Sequence, residues 1–333
     1  MTILITGAAG FIGHALAKAL LARGDRVIGI DNLNDYYDPA LKQARLDDIA
    51  ATGGAFVFHR LDFADSEALS SVLATEQFDR IVHLGAQAGV RYSLENPAAY
   101  VQSNLVGHAN MLELARVRQI GHMVYASSSS VYGHASKMPL SVDARVDHPV
   151  SLYAATKKAD ELMSETYAHL YRLPLTGLRF FTVYGPWGRP DMAPWKFTRA
   201  ICEGTPIQVF NHGRMKRDFT YIDDIIAGLV ATLDAPPADD AQAKPGGSVS
   251  PHAVYNIGNN RPVALMDFIA TIEQACGREA EKIMKPMQPG DVYETYADIT
   301  AIAAAVGYAP ATGLEDGIPR FVEWYKHYHS IKA

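Results

Sequence analysis

Residues 2–13 read Thr2-Ile3-Leu4-Ile5-Thr6-Gly7-Ala8-Ala9-Gly10-Phe11-Ile12-Gly13. A short apolar, β-branched run comes first, then three glycines spaced three and three. An apolar-periodic stretch follows from Phe11 to Leu21 and ends near Gly24. This order predicts strand, glycine turn, helix. A second strand, 26–30, stops at Asp31. Further strand candidates are 55–59, 80–84, 122–126 and 175–180, with helical patterns between them, notably 98–117 and 152–171. Strands alternating with helices imply right-handed βαβ units, hence an α/β chain with a Rossmann-type, doubly wound parallel sheet.

Beyond Phe181 the texture changes. Gly185, Pro186, Gly188, Pro190 and Pro194 crowd together and read as loop. Helices are expected at 197–203, 222–233, 265–275 and 314–327, with a short strand at 207–210. Residues 235–251 are polar, aperiodic and rich in Pro and Gly, the pattern of a mobile surface insertion. The expected division is a dinucleotide-binding domain, 1–180, and a smaller mixed α/β substrate lobe, 181–333, with some chain crossing back.

The chain has 333 residues, 48% apolar and 20% charged, a globular balance that excludes a mostly disordered protein. Its net charge of −6 excludes a whole-chain basic footprint for nucleic acid. No apolar run approaches the ~18 residues of a membrane span. Cys202 and Cys276 lie far apart in sequence and read as buried thiols in a reducing compartment. The 12 histidines show no metal-ligand spacing, so no metal is expected. A cytoplasmic enzyme is the default. The aromatic residues Trp187, Trp195, Tyr184 and Phe197 are expected to pack the small lobe.

The glycine pattern carries a chemical demand. Glycine lets the backbone turn sharply and approach a pyrophosphate, whose charge is met by a helix N-terminus. A carboxylate ending the second strand, Asp31, accepts hydrogen bonds from a ribose and repels a 2′-phosphate, which favours NAD over NADP. Asp62, past the third strand, is placed to meet the adenine and equally to cap a helix in Asp62-Phe63-Ala64-Asp65.

Tyr153 and Lys157 lie four apart, on one helix face. They follow a strand that ends in Ala126-Ser127-Ser128-Ser129-Ser130, whose hydroxyls face the crevice of such a sheet. An ordinary phenol, with a pKa near ~10, is too weak a base at neutral pH. A nearby ammonium and a cationic nicotinamide favour the phenolate, and a serine hydroxyl can then bond the reacting oxygen.

Taken together, the glycine triplet, Asp31-Asn32-Leu33, the serines before Val131-Tyr132-Gly133 and the Tyr153/Lys157 pair resemble the extended short-chain dehydrogenase/reductase superfamily. More narrowly, the stretches 86–93, 126–133 and 179–192 resemble UDP-glucuronate 4-epimerases. That resemblance implies a resident NAD and a UDP-sugar substrate, with a homodimer formed by pairing helices 98–117 and 152–171. It implies that Tyr153 takes the O4 proton while C4 yields hydride, and that a 4-keto sugar then turns over and is reduced from its other face. Ser128, Tyr153 and Lys157 carry the catalytic roles. The implied cofactor positions are Gly7, Gly10, Phe11, Ile12, Gly13, Asp31, Asn32, Asp62, Phe63, Leu84, Ala86 and Asn104. Arg217 and Asp291 match residues that hold the UDP part, and Gln288 stands where related hexose epimerases carry arginine.

Three departures separate neighbouring activities. Sugar-nucleotide 4,6-dehydratases carry an Asp-Glu pair where this chain has Ser129 and Ser130. Uronate decarboxylases keep a Glu at the second position. UDP-galactose 4-epimerases usually carry Asn where Thr182 stands. Hydroxyls of Ser127, Ser129 and Thr182 are instead suited to hold a sugar carboxylate. Arg91 reads as a substrate contact or a structural salt bridge, and Arg189 as a substrate-loop or a solvated residue. Lys42 reads as a solvated helix residue or a cofactor contact. The expected activity is C4 epimerisation of UDP-glucuronate to UDP-galacturonate; a neutral UDP-hexose 4-epimerase, a UDP-uronate decarboxylase and a non-catalytic NAD-binding regulator are the alternatives.

Overall fold

The computed structural model describes residues 1–135, 137–288 and 291–331. Its main sheet contains β1 (Thr2–Thr6), β2 (Arg26–Asp31), β3 (Phe56–Arg60), β4 (Arg80–His83), β5 (His122–Ser128), β6 (Leu175–Phe180) and β10 (His252–Ile257). The order is β10-β6-β5-β4-β1-β2-β3, with every pairing parallel. The chain leaves β1 in one direction and returns at β4 on its other side. Between these two strands the topology switches, which opens a crevice at their carboxyl ends.

Alternation along the strands divides two cores, as the two-residue period of a strand requires. Ile3, Ile5, Val27, Val82 and Val124 join Leu16 and Leu20 of the helix Phe11–Ala22 and Ile225 and Leu229 of the helix Ile222–Asp234. Leu4, Ile28, Ile81 and Met123 face the opposite side, with Met111 and Leu112 of the helix Gly107–Val117 and Ala168 of the helix Leu152–Tyr171. Beyond the sheet lie a three-stranded array, β11 (Pro262–Ala264)-β9 (Lys216–Tyr221)-β7 (Thr182–Tyr184), and a parallel pair, β8 (Ile207–Val209) and β12 (Lys282–Met284). Trp187, Trp195, Phe321 and Trp324 pack together, Tyr184 meets Phe219 and Tyr221, and Phe197 meets Phe268.

The structure corrects several expectations. Residues 182–184, expected as loop, form β7, an edge strand of the three-stranded array. β10 was hidden because His252 and Asn256 interrupt its apolar run, yet both are buried and bonded, His252 to Tyr125 and Glu165 and Asn256 to Tyr132. Residues 98–117 do not form one regular α-helix. A π-helical turn, Val101–Val106, separates Pro97–Tyr100 from Gly107–Val117. Its end abuts Phe63 so closely that a Cβ on Gly107 would lie 2.3 Å from that ring. Residues 235–251 carry no helix or strand, but Ser248 donates to Glu165 and so ties the end of the stretch to the helix Leu152–Tyr171. The two thiols, distant in sequence and expected as buried, are half-buried with their sulfurs 4.0 Å apart, at the ends of helices Ala193–Glu203 and Leu265–Cys276.

Between β5, β6 and the helix Leu152–Tyr171 lies a buried polar knot. Arg179 grips Glu161 through two hydrogen bonds of 2.8 and 2.9 Å, and Glu161 also accepts the Ser127 hydroxyl at 2.7 Å. Burial alone would raise the Glu161 pKa, but the bonds and charge of Arg179 outweigh it and hold the carboxyl below its ordinary 4.5. The stabilisation is therefore present above pH 4.5 and lost as the pH falls through the lowered value. Glu161→Ala strands a buried guanidinium and is expected to cost about 3–5 kcal/mol, whereas Glu161→Leu with Arg179→Met recovers most of it. Thermal unfolding of the three proteins at neutral pH checks this ordering.

Candidate active site

The turn after β1 is built for close approach. Gly7 adopts φ +70°, and a Cβ on Gly13 would lie 2.1 Å from the Gly7 carbonyl oxygen. Glycine at both places lets the helix Phe11–Ala22 start directly against the turn. Its N-cap, Gly10, offers no side chain, and its first turn holds no acid. The free N–H groups there are left for an anion. They open into a cavity of 360 Å³ that is lined by Gly7, Gly10, Phe11, Ile12, Gly13, Asp31, Asn32, Lys42, Phe63, Leu84 and Ala86.

Asp31 ends β2 and is nearly buried. Its carboxylate accepts the N–H groups of Leu33 at 2.9 Å and Ala9 at 3.2 Å, so it ties the second strand to the glycine turn. Burial raises its pKa, against those bonds and the charge of Lys42. Lys42 is not a solvated helix residue: its ammonium is buried, bonds Asn34 twice at 2.7 Å and lies over the Tyr37 ring. Asp62 is exposed, accepts Ala64 N–H and pairs with the Asn32 amide, outside the cavity lining. Asn104, expected at the cofactor, is bonded within the fold. It is buried away from the cavity, with its amide committed to the Gln87 backbone and to Thr156. It thereby fixes Gln87 in the wall of the cavity.

A nicotinamide dinucleotide fits these residues. The glycine turn leaves no room for a Cβ, the helix N-terminus is uncapped by any side chain, and a carboxylate stands where a ribose would need an acceptor.

The same cavity is lined by Ser128, Tyr153 and Lys157, although they come from β5 and from the next helix. Ser151 caps that helix by accepting Ala154 N–H at 3.1 Å, which sets the first turn carrying Tyr153. The Ser128 oxygen accepts Ser130 N–H at 3.1 Å, leaving its own hydrogen to donate. Lys157 donates to the Ala126 carbonyl at 2.8 Å and to Asp160 at 3.1 Å. Ser129 and Thr182 line both this cavity and the one beside it. Ser127 lines the smaller cavity too, with its hydroxyl hydrogen donated to Glu161 at 2.7 Å. A strand end places successive residues on opposite faces, and Ser127 falls on the face of the buried knot.

The adjoining cavity, 940 Å³, contains Arg91, Arg217, Gln288 and Asp291. Arg91 reaches Asp291 at 3.4 Å and lies over the Phe210 ring. Arg217 is fixed by the carbonyls of Lys216, Val292 and Tyr293. The Gln288 side-chain amide oxygen is buried without a partner among the described residues; Pro289 and Gly290, which precede Asp291, lie outside those residues. Arg189 pairs with Asp191, which also accepts the Tyr36 hydroxyl, so this arginine is braced within the wall. Sequence reasoning missed Tyr36, Asp191 and Asp160. Only Asp160 carried a usable signal, its spacing of three from Lys157.

Residues 3–258 match the model of the NAD dependent epimerase/dehydratase family. Over 99% of its length the chain is 51% identical to the protein CapI of Staphylococcus aureus, covering 99% of that protein. A probable UDP-glucuronate 4-epimerase of Rhizobium meliloti is 48% identical over 98% of this chain and 97% of its own. Among solved structures, the UDP-glucuronic acid 4-epimerase of Bacillus cereus, in complex with UDP-glucuronic acid and NAD, is 34% identical. It superposes with a TM-score of 0.88 over 98% of this chain and 100% of that one. With the glycine turn, the switch-point crevice and the Ser–Tyr–Lys wall in place, the chain belongs to the NAD dependent epimerase/dehydratase family.

Proposed function

We propose that this protein interconverts UDP-glucuronate and UDP-galacturonate by reversible oxidation at C4, with NAD as its cofactor. The observation that carries the reading is that Ser128, Tyr153 and Lys157 line one cavity together with Ser129 and Thr182, which the larger cavity shares. Its relatives named as UDP-glucuronate 4-epimerases support the choice of substrate.

The residues divide the work. Tyr153 removes the proton from O4 and later returns it. Ser128 donates to the reacting oxygen throughout, because its lone pair is already engaged by Ser130 N–H. Lys157 brings a positive charge to the cavity wall that carries the phenol. When bound, NAD supplies the acceptor for the electron pair leaving C4 and restores it. Arg217 and Gln288, with the Arg91–Asp291 pair, form the walls for the UDP part in the larger cavity.

A uronate oxidised at C4 is a β-keto acid and readily loses CO₂ when its carboxylate aligns with the ketone. Ser129 and Thr182 offer neutral donors that hold the carboxylate near the ring plane, away from that alignment. No Asp–Glu pair for water elimination stands at Ser129 and Ser130. A homodimer goes with this reading, since Val101, Val106 and Leu162 are exposed apolar residues on the helices expected to pair. So does a cytoplasmic setting, where free thiols persist. Among the described residues, no helix is long and apolar enough to cross a membrane.

Incubation with UDP-glucuronate, followed by chromatography, is expected to yield UDP-galacturonate. Tyr153→Phe should lower that rate by about 10²–10⁴-fold. Formation of UDP-pentose alone, or no turnover, overturns the reading. Ser129→Ala and Thr182→Val are expected to raise the UDP-pentose fraction of the product, and an unchanged fraction removes the role of the cradle. Light scattering should give twice the chain mass of 36.3 kDa, and a monomer contradicts the pairing.

A further inference from the structure

The reaction outlined above leaves one buried charge unused. Asp160 lies on the helix Leu152–Tyr171, almost a turn beyond Lys157, and is only 1% exposed. Its Oδ2 accepts the Lys157 ammonium at 3.1 Å. Its Oδ1 is equally buried and has no hydrogen-bond partner among the described residues. A carboxylate in such a place is costly unless paired.

Lys157 is the one cation bonded to it among the described residues. Glu161, on the same helix, is a second carboxylate, held by Arg179. His83 projects from β4 and His108 from the helix Gly107–Val117. Burial pushes His83 down to about 3 and His108 well below its usual value, so both are neutral at pH 7. Tyr125, from β5, is a phenol that burial keeps protonated. Neither ring nor phenol can neutralise Asp160, and Glu161 opposes its ionisation. Burial pushes the Asp160 carboxyl up to about 6, with the charge and hydrogen bond of Lys157 holding it from going further.

The geometry around the ammonium is the second half of the argument. Its three N–H groups are not free to turn: one is on the Ala126 carbonyl at 2.8 Å and one on Asp160. Lys157 also lines the cofactor cavity, so its remaining donor is the one available to the site. We propose that Asp160 is a positioning residue for the Tyr153–Lys157 pair. With Ala126 it aims the ammonium into the cleft, and its charge offsets that of Lys157, weakening the pull on the Tyr153 proton. This rests on Tyr153 being the base.

The offset has a direction. When Asp160 is ionised, Lys157 and Asp160 present a nearly neutral pair to the phenol. When Asp160 takes a proton, the full positive charge of Lys157 acts on Tyr153. Falling pH, which would otherwise switch the base off, thus strengthens the group that keeps it on. An ionised Asp160 therefore narrows activity on the acid side, and its protonation relieves that narrowing.

Asp160→Asn keeps the shape and removes the charge. In the NAD-loaded enzyme, the acid side of the kcat profile is expected to move to lower pH by roughly half a unit to one unit. A second readout needs no turnover. Ultraviolet difference titration, with Tyr153→Phe as the blank, should show tyrosinate forming at a pH lower by the same amount. Asp160→Ala should shift both curves in the same direction if the asparagine protein folds poorly. Reduced kcat or thermal stability with both midpoints unmoved marks a merely structural carboxylate and overturns the proposal. Failure of the underlying reading is separate, appearing as absent epimerisation in the unsubstituted protein.

Discussion

Everything catalytic in this chain depends on one junction, the docking of the helix Leu152–Tyr171 against the carboxyl ends of β5 and β6. Ser128 and Tyr153 come from different elements, and only a fixed rotation of the helix brings them to one point. Three polar contacts set that rotation: Lys157 on the Ala126 carbonyl, Ser127 on Glu161, and Arg179 gripping Glu161 from β6. A purely apolar seam between helix and sheet would tolerate sliding by a fraction of a turn. Directional bonds between buried charges do not, because any slip leaves a desolvated ion unpaired. The stability gained from such a pair is small, and what it supplies here is register.

The same junction explains how charge is distributed along the cleft. At the cofactor end a bare helix N-terminus, Asp31 and Lys42 surround the glycine turn. At the far end stand Arg217, Gln288 and the Arg91–Asp291 pair. Between them the wall carries hydroxyls of Ser128, Ser129, Ser130 and Thr182, the phenols of Tyr36 and Tyr153, and the Lys157 and Arg189 cations. In the proposed reaction, ionised groups hold the ends of two large anionic molecules, while hydroxyls and phenols face the sugar. That division suits a reaction that returns every electron and proton it removes and eliminates neither water nor CO₂.

Much of this was legible in the residues. The glycine triplet, Asp31 and the Tyr153/Lys157 spacing are local patterns, because the turn, the strand end and the helix face that they need are local structures. Five of the seven central strands lie in apolar runs bounded close to the observed limits, and β3 is displaced by one residue. β10 was not seen because its burial is satisfied by bonds from His252 and Asn256 to residues more than a hundred positions away. The same long-range satisfaction decides the partners of particular side chains. Ser127 gives its hydrogen to Glu161 and Asn104 its amide to Gln87 and Thr156, contacts that no local pattern announces. Lys42 looked solvated and is buried against Tyr37. The π turn at Val101–Val106 left no mark in the hydrophobic period, since an extra residue in one turn barely disturbs it.

The central claim is that C4 is oxidised and reduced within one enclosed site, its hydrogen leaving and returning without exchange with water. The direct measurement is conversion of UDP-glucuronate deuterated at C4, with mass spectrometry of the product and of the solvent. Deuterium retained at C4 of UDP-galacturonate is expected. Its loss to the medium at the rate of product formation would contradict the mechanism.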